Sequence, residues 1–232
     1  MSDALDKVSG IKHLPLFPLP LVLLPNEFLP LHIFEERYQQ LLKDVLTEQK
    51  LFGISYFESQ NELVVKPAAG TVGCVAEIRE SQSQPDGRSN ILTMGIVRYR
   101  LIEYVESGDP YFVGDVVFFE DDEEDEGTLQ PLADDVYGLF ERVAKAAFDL
   151  SGGRGRFPEI PKTQPEQLSF LVTAAINLDN ELKYQLLETS STSNRLDKLR
   201  DILNQAVEKM EESAEIGKLA QLNGHSKKKL DI

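Results

Sequence analysis

The chain has 232 residues, of which 41% are apolar and 27% are charged, and its formal net charge is −15. This length can bury a core for one large domain or for two lobes. The negative charge repels phosphate backbones and disfavours general nucleic-acid binding. Prolines interrupt the one long apolar segment, so no membrane span is predicted, and the amino terminus lacks the features of a secretory signal. The single cysteine, Cys74, favours a reducing, cytosolic compartment.

The first predicted elements lie in the segment LPLFPLPLVLLPNEFLPLHIFEERY, residues 14–38. Proline neither sits inside a helix nor donates to a central sheet ladder, so the apolar runs are predicted to be short extended pieces at strand edges or starts. After Phe34 the apolar spacing becomes helical, and Glu35 and Glu36 fall in the predicted first turn, where negative charge suits the helix dipole. The apolar face of this predicted helix is Tyr38, Leu41, Leu42, Val45 and Leu46.

The region from residue 51 to residue 119 is predicted to be mostly strands. Apolar and alternating patterns predict strands at residues 51–57, 61–65, 72–78, 92–101 and 111–119. The turn residues at 85–87 predict a hairpin connection. The apolar parity of the fourth strand switches after Ile96, which requires a bulge or bend that Gly95 permits. Strands that bend and change faces are typical of small, partly closed barrels.

An acidic run and four predicted helices follow. Residues 120–126 are seven consecutive acids, and such a block is typical of a solvated, mobile loop, the alternative being a docking site for a basic partner. Helical periodicity predicts four helices, whose apolar stripes begin at Leu129, Leu168, Leu182 and Leu196. Asp179 and Ser193 are predicted amino-terminal caps for the last two helices. Glycines and prolines predict a loop at 151–165, and residues 223–232 are expected to be frayed.

Several segments resemble the amino-terminal domain of Lon protease, and they occur in the order of that family. Besides the opening segment they are GTVGCVAEI at 70–78, DGRSNILTMGIVRYRLIE at 86–103 and LSFLVTAAINLDNELKYQLLETSSTSNRLDKLRDIL at 168–203. The resemblance covers nearly the whole chain, residues 12–210. The motif LPLHIFEERY is more similar to the stand-alone bacterial and plastid Lon-domain proteins than to full-length Lon.

The resemblance implies an α+β fold, with a PUA-like β lobe at 12–126 that forms a small, partly closed barrel. A carboxy-terminal helix bundle at 127–212 and a flexible tail at 213–232 are expected to follow. Cereblon, a substrate receptor of a ubiquitin ligase, carries a related domain. The resemblance further implies a module that binds unfolded or degron-bearing protein segments, as a substrate-recognition adaptor or a chaperone-like partner of a protease. Its expected location is the cytoplasm, or the plastid stroma in a photosynthetic eukaryote, with no membrane or nucleic-acid partner.

Full-length Lon owes its activity to ATPase and peptidase modules whose motifs are missing from this sequence. The sequence contains no GxxxxGK phosphate loop, and no segment resembles the serine and lysine dyad of the Lon peptidase domain. His32 and Glu35 form an HxxE without the further ligand of a zinc peptidase. Cys74 lies on the apolar parity of a strand and is predicted to be a buried small hydrophobe. We therefore expect no catalytic residue, no metal site and no cofactor, and peptidase activity is disfavoured.

Two candidate binding surfaces remain. Arg154 and Arg156 are candidates for RNA contact, because PUA-like folds include RNA binders, although the net charge opposes this alternative. Binding of an extended peptide by strand addition needs an exposed edge strand with apolar groups beside it. The candidate peptide-binding residues, at the strand-to-helix junction, are Phe28, Leu29, His32, Phe34 and Arg37. For each of them alone we favour a structural role: core for the three apolar residues, a hydrogen-bonded turn for the histidine and an ion pair for the arginine.

Overall fold

A computed structural model describes residues 2–58, 66–150 and 157–224 of the chain. The described residues of Met1–Glu123 and Phe170–Ser191 form one compact unit, the β unit, and those of Glu124–Ser169 and Thr192–Ile232 form a second, the helical unit. The β unit thus includes a helical segment that the sequence-based division at residue 127 assigns to the helix bundle. The predicted strand at 61–65 lies outside the described residues. No helix in the described part of the chain is long and apolar enough to cross a membrane.

The described part of the β unit contains both helices and strands, and the described part of the helical unit contains helices alone. The elements of the described residues are α1 (Asp3–Val8), β1 (His13–Leu19), β2 (Phe28–Ile33), α2 (Glu36–Thr47), β3 (Leu51–Tyr56), β4 (Val72–Ser83), β5 (Ser89–Val105), β6 (Phe112–Phe119), α3 (Glu126–Leu150), α4 (Pro165–Ala175), α5 (Asn180–Glu188) and α6 (Thr192–Gly224). The predicted α+β class is confirmed. The sequence analysis missed α1, which Ser2 caps by accepting from the Leu5 N–H at 3.2 Å.

The strands form a ring of pairings with one strand appended. The order is β2-β5-β4-β3-β1-β6, and β6 also pairs with β5, so five strands close on themselves and β2 extends from β5. The β1–β3 pair is parallel, whereas the other pairs are antiparallel. β5, with 17 residues, is long enough to pair with β2 along its first half and with β6 along its second half. The sequence predicts a small, partly closed barrel, and the strands form such a ring of pairings without making a clean barrel.

Two prolines lie inside β1, which is not an edge strand, so the expectation of edge or start positions is wrong for them. The first half of β1 pairs with β6, with Pro15 opposite Val113. The second half pairs with β3, with Pro18 opposite Ser55. Each proline therefore lies in a half of the strand that is paired on one side only, and its nitrogen, which has no hydrogen, is tolerated there.

The predicted bulge in β5 is present next to Gly95. The register between β4 and β5 shifts from Ala76 opposite Gly95 to Cys74 opposite Arg98. A Cβ atom on Gly95 would lie 2.1 Å from the carbonyl oxygen of Leu24. The glycine therefore allows the turn that precedes β2 to approach β5 closely, and Gly95 N–H donates to the Glu27 carbonyl oxygen at 2.9 Å.

The helix α2 covers one side of the sheet, as its apolar spacing predicts. The buried residues of this cluster include Ile33, Tyr38, Leu41, Leu42, Val45, Ile78 and Ile91. Cys74 belongs to the same cluster and has 0% exposure, which confirms its predicted role as a small buried hydrophobe. Burial raises the pKa of its thiol to about 12.

The β unit also buries an ion pair that the sequence does not reveal. Arg98 is 1% exposed, and its guanidinium pairs with Asp121, whose side chain is 4% exposed. The same guanidinium donates to the carbonyl oxygens of Leu187 at 3.1 Å and Thr189 at 2.8 Å. Arg98 thereby joins β5 to the carboxyl end of α5 and to the start of the acidic run.

The acidic run forms a loop at residues 120–125, and four of its seven acids are exposed, but specific partners hold most of its carboxylates. Five of its side chains accept hydrogen bonds from specific partners. The pairs are Glu120 with Ser2, Asp121 with Arg98, Asp122 with Ser190, Glu124 with Ser193 and Asp125 with Thr128. These carboxylates thus accept from specific donors, among them the buried Arg98 guanidinium and N–H groups in the first turns of α3 and α6, which sequence composition alone cannot indicate.

The helical unit is built largely from α3 and α6, which pack against each other. Their buried residues include Ala133, Val136, Phe140, Leu196, Leu199 and Leu203.

Asp179 caps α5, which belongs to the β unit, as predicted; it accepts from the Leu182 N–H at 2.8 Å. Ser193 is not a cap, because α6 begins one residue earlier, and its N–H instead donates to the Glu124 carboxylate at 3.2 Å. α6 continues to Gly224, so residues 213–224 of the expected tail are helical, and 225–232 lie outside the described residues.

Candidate functional site

The strand β2 is an open edge in the described part of the chain, where it pairs with β5 alone. Glu27, just before the strand, accepts from Gly95 of β5, and in antiparallel pairs the direction of the backbone groups alternates between successive residues. The residues that direct their backbone groups to β5 are therefore Leu29, Leu31 and Ile33. Those that direct them to the open edge are Phe28, Pro30 and His32. Proline suits an outward position because it has no N–H to donate to β5.

The same alternation places three of these side chains on an exposed surface. Along β2 the residues are alternately exposed and partly or fully buried, with Phe28 59% exposed. Directly opposite residues of neighbouring strands share a face. The three rows across β2, β5 and β4 are Phe28–Met94–Glu77, Pro30–Leu92–Glu80 and His32–Asn90–Gln82. We call this surface, together with Phe34, the β2 face. Its apolar part lies on β2 and β5, at Pro30, Leu92 and Met94, and its polar part lies on β4, at Glu77, Glu80 and Gln82.

An aromatic pair lies at the carboxyl end of β2. The rings of His32 and Phe34 are stacked, with centroids 6.1 Å apart and planes inclined by 22°. His32 Nδ1 lies 2.7 Å from Asn90 Oδ1, and since a carbonyl oxygen can only accept, Nδ1 is the donor. Phe34 is 61% exposed. The hydrogen bond fixes the imidazole, and the imidazole supports one side of an aromatic ring that otherwise faces solvent.

Arg37 lies just beyond this pair, in the first turn of α2. Its guanidinium is 2.8 Å from the Glu35 carboxylate and 4.5 Å from the centroid of the Tyr38 ring.

Glu27 lies just before the other end of the strand, and burial raises the pKa of its carboxyl group. The Leu24 N–H donates to this carboxylate at 2.9 Å, which opposes the rise in pKa. Both ends of β2 therefore carry carboxylates that are held by defined partners.

The structure places four of the five candidate residues at exposed positions and buries one of them in part. Phe28 and Phe34 are exposed, so the core role that we favoured for them is wrong. Leu29 packs against the cluster under α2, on the opposite side of the sheet. His32 is hydrogen-bonded, but it lies in a strand rather than in the predicted turn; Arg37 has the predicted ion pair, and both residues are exposed. Three of the five, Phe28, His32 and Phe34, thus lie together on the β2 face.

Other members of the β2 face were missed by sequence reasoning. Pro30, Leu92 and Met94 contribute the apolar surface between the two phenylalanines. The two-residue alternation in FLPLHI contains the signal for Pro30, whereas Leu92 and Met94 join the face only through the register of β5. Selecting residues by nearness to the junction, rather than by parity, led to the inclusion of Leu29.

The remaining candidate sites have less support. Arg154 and Arg156 lie outside the described residues. Among the residues that the structure covers, no group of three or more His, Cys, Asp or Glu side chains could hold a metal ion. A cavity of about 40 Å³ in the helical unit is lined by Asp134, Tyr137 and Thr163 among others. Ligand pockets usually measure about 300–1,000 Å³, so this cavity suits a water molecule rather than a ligand.

Comparison with known proteins gives relatives along most of the chain. The Lon protease of Dictyoglomus thermophilum is 26% identical over 205 residues, which are 85% of this chain and 25% of that protein. The Lon protease of Brevibacillus choshinensis is 25% identical, over 90% of this chain and 27% of that protein. The chain therefore spans about a quarter of the length of these curated relatives.

Solved structures share the fold. A crystal structure of a Lon N-terminal domain protein from Xanthomonas campestris is 27% identical with a TM-score of 0.60, and the match covers 82% of this chain and 97% of that one. The N-terminal domain of the Mycobacterium avium complex Lon protease also has a TM-score of 0.60, at 18% identity. The family described as the ATP-dependent protease La (LON) substrate-binding domain matches residues 13–205. Since this match covers most of the chain, the protein belongs to the Lon substrate-binding domain family.

Proposed function

We propose that this protein is a non-catalytic module that binds extended segments of unfolded protein at the β2 face. The observation that carries the proposal is the pair of exposed phenylalanines at the two ends of an open edge strand. Among the residues whose side-chain burial is described, four large apolar side chains are exposed, namely Phe28, Phe34, Ile102 and Val117. Two of these four flank β2, and exposed apolar groups that lie together often mark interaction sites.

Strand addition explains how such a face binds many different sequences. An added segment hydrogen-bonds to the outward N–H groups of Phe28 and His32 and to the outward carbonyl groups of β2. These main-chain contacts do not depend on the side chains of the segment. The alternate side chains of the segment then contact Phe28, Phe34 and the apolar surface around Leu92 and Met94. Pro30 removes one donor from the edge, which limits uncontrolled pairing with other strands.

Membership of the Lon family supports a role in proteolysis. The curated relatives are Lon proteases about four times as long as the matched region. We infer that this domain captures an unfolded or degron-bearing segment and presents it to a protease, as a substrate-recognition adaptor or a chaperone-like partner. A binding module of this kind needs no nucleophile or metal of its own.

Fluorescence anisotropy of a labelled peptide tests the proposal. The peptide has about ten residues, the length of a long strand, with alternating apolar and uncharged polar residues and no net charge. We expect saturable binding to the wild type. Truncation of an aromatic anchor costs about 1–2 kcal/mol, so Phe28→Ser with Phe34→Ser should weaken binding at least about tenfold.

The matched control removes the other two large apolar side chains that are exposed in the described part of the β unit, as Ile102→Ser with Val117→Ser. This control variant loses exposed apolar surface from β6 and from the half of β5 that does not pair with β2, and it should bind the peptide as the wild type does. Equal loss in both variants would show that general hydrophobicity, not the β2 face, binds the peptide. Absence of binding by the wild type at high micromolar concentration would overturn the proposal.

A further inference from the structure

The charges around the β2 face are distributed unevenly between acids and bases. The bases beside the face are each held by a carboxylate. These pairs are Lys7 and Arg79 with Glu77, Arg37 with Glu35, and Arg88 with Asp86. Two exposed acids, Glu36 and Glu80, have no basic partner within the described residues. The four bases share three carboxylates, because Glu77 pairs with both Lys7 and Arg79. With Glu36 and Glu80 included, five acids lie beside the face against four bases.

One of these two carboxylates, Glu80, lies beside the apolar part of the face, and the other, Glu36, follows Phe34 in the chain. Glu80 lies opposite Leu92, and Leu92 lies opposite Pro30. Because neighbouring strands are about 4.8 Å apart, the backbone of Glu80 is about 10 Å from that of Pro30. Glu36 begins α2 only two residues after Phe34. A segment bound on the β2 face therefore lies near Glu80, at a distance where salt screens only part of the field of that charge, and its end beside Phe34 lies near the acidic first turn of α2.

We propose that the β2 face selects extended segments in which lysine or arginine residues flank alternating apolar residues, and that it rejects acidic segments of the same apolar pattern. This inference rests on the proposed function and specifies its substrate class. The net charge of −15 adds a long-range field of the same sign, which favours the approach of cationic segments. The same charge disfavours a second copy of this chain as the occupant of the open edge.

Two labelled peptides with one shared apolar core, flanked by lysines in one and by glutamates in the other, test the selection by anisotropy. We expect the lysine peptide to bind at least about threefold more tightly at low salt, since each exposed ion pair contributes a modest gain. The ratio of the two dissociation constants should fall as the Debye length shortens from about 30 Å at 0.01 M salt to about 10 Å at 0.1 M.

Paired charge variants locate the source of the selection. Glu36→Gln with Glu80→Gln should reduce the preference for the lysine peptide by at least half. The control, Glu106→Gln with Asp109→Asn, removes the same charge from exposed residues of the β5–β6 loop, at the far end of β5 from β2, and should keep the preference. If the neutral peptide binds, either of two results would overturn the inference alone. One is equal binding of the lysine and glutamate peptides to the wild type, and the other is an equal loss of preference in both charge variants. Failure of the neutral peptide to bind would overturn the proposed function itself.

Discussion

Replacement of Arg98 by methionine tests how the β unit is held together. Methionine keeps an unbranched apolar stem and removes the guanidinium. Asp121, with a side chain 4% exposed, then loses its Arg98 partner, and the carbonyl groups of Leu187 and Thr189 lose a donor. The guanidinium also lies 4.6 Å from the ring centroid of Phe119, but a thioether packs well against an aromatic ring. The expected effect is therefore mainly electrostatic.

The magnitude follows from the burial of the pair. Removing one partner of a buried ion pair costs about 3–5 kcal/mol, and a buried carbonyl left without its donor costs about 1–3 kcal/mol before relaxation. Against a total stability of about 5–15 kcal/mol, we expect Arg98→Met to lower the free energy of unfolding by at least about 3 kcal/mol. Replacing both charges by apolar residues is often neutral or better. The double variant Arg98→Met with Asp121→Leu should therefore be more stable than Arg98→Met alone.

Urea unfolding followed by tyrosine fluorescence measures this effect in the β unit. The chain has seven tyrosines and no tryptophan. The six tyrosines of the β unit are Tyr38, Tyr56, Tyr99, Tyr104, Tyr111 and Tyr184. A loss of less than about 1 kcal/mol in Arg98→Met, the value of an ordinary hydrogen bond, would refute the reasoning. So would a double variant less stable than the single one.

Three further predictions concern single buried or crowded positions. Gly95→Ala should destabilise the chain by more than about 2 kcal/mol, because the new Cβ would lie 2.1 Å from the Leu24 carbonyl oxygen. Gly138→Ala in α3, where the new Cβ would have no atom within 4 Å, should instead stabilise the chain by up to about 1 kcal/mol. Equal shifts of the melting temperature in the two variants would contradict this prediction. Cys74 should resist a thiol reagent at about pH 8.5 until the chain unfolds. Its native pKa is raised from 9.0 to about 12, so the native state keeps a proton that the unfolded chain loses. The free energy of unfolding should therefore fall as the pH rises above 9.0. Burial raises the native pKa of Glu27 from 4.5, so the free energy of unfolding should fall as the pH rises through the range just above 4.5. Glu27→Gln should flatten this pH dependence in urea titrations. An unchanged pH dependence in the variant would contradict the role of Glu27.

Patterns that depend on nearby residues could be predicted from the sequence. The helix that begins after Phe34 and the cap at Asp179 follow from spacing and from local hydrogen-bonding chemistry. The bulge at Gly95 follows from a switch of apolar parity within one strand. These features need no knowledge of which distant segments meet, and the structure contains all three.

Features that depend on distant partners could not be predicted. Arg98 looks like an exposed strand residue until β6, α5 and the acidic run surround it. The phenylalanines at 28 and 34 look like core residues, because apolar side chains beside a helix start are usually buried. Their exposure follows from the pairing of β2 with β5 and from the position of α2 on the opposite side of the sheet. The register of β5 also decides that Leu92 and Met94 belong to the candidate site.

Amide hydrogen exchange at the open edge of β2 tests most directly whether the β2 face binds an extended segment by strand addition. The N–H groups of Phe28 and His32 face the open edge, so they should exchange readily in the free protein. We predict that saturation with the neutral alternating peptide slows exchange at both amides by at least about tenfold, as new inter-strand hydrogen bonds form. Unchanged exchange at both amides, at a peptide concentration where anisotropy shows full binding, would contradict binding at this strand.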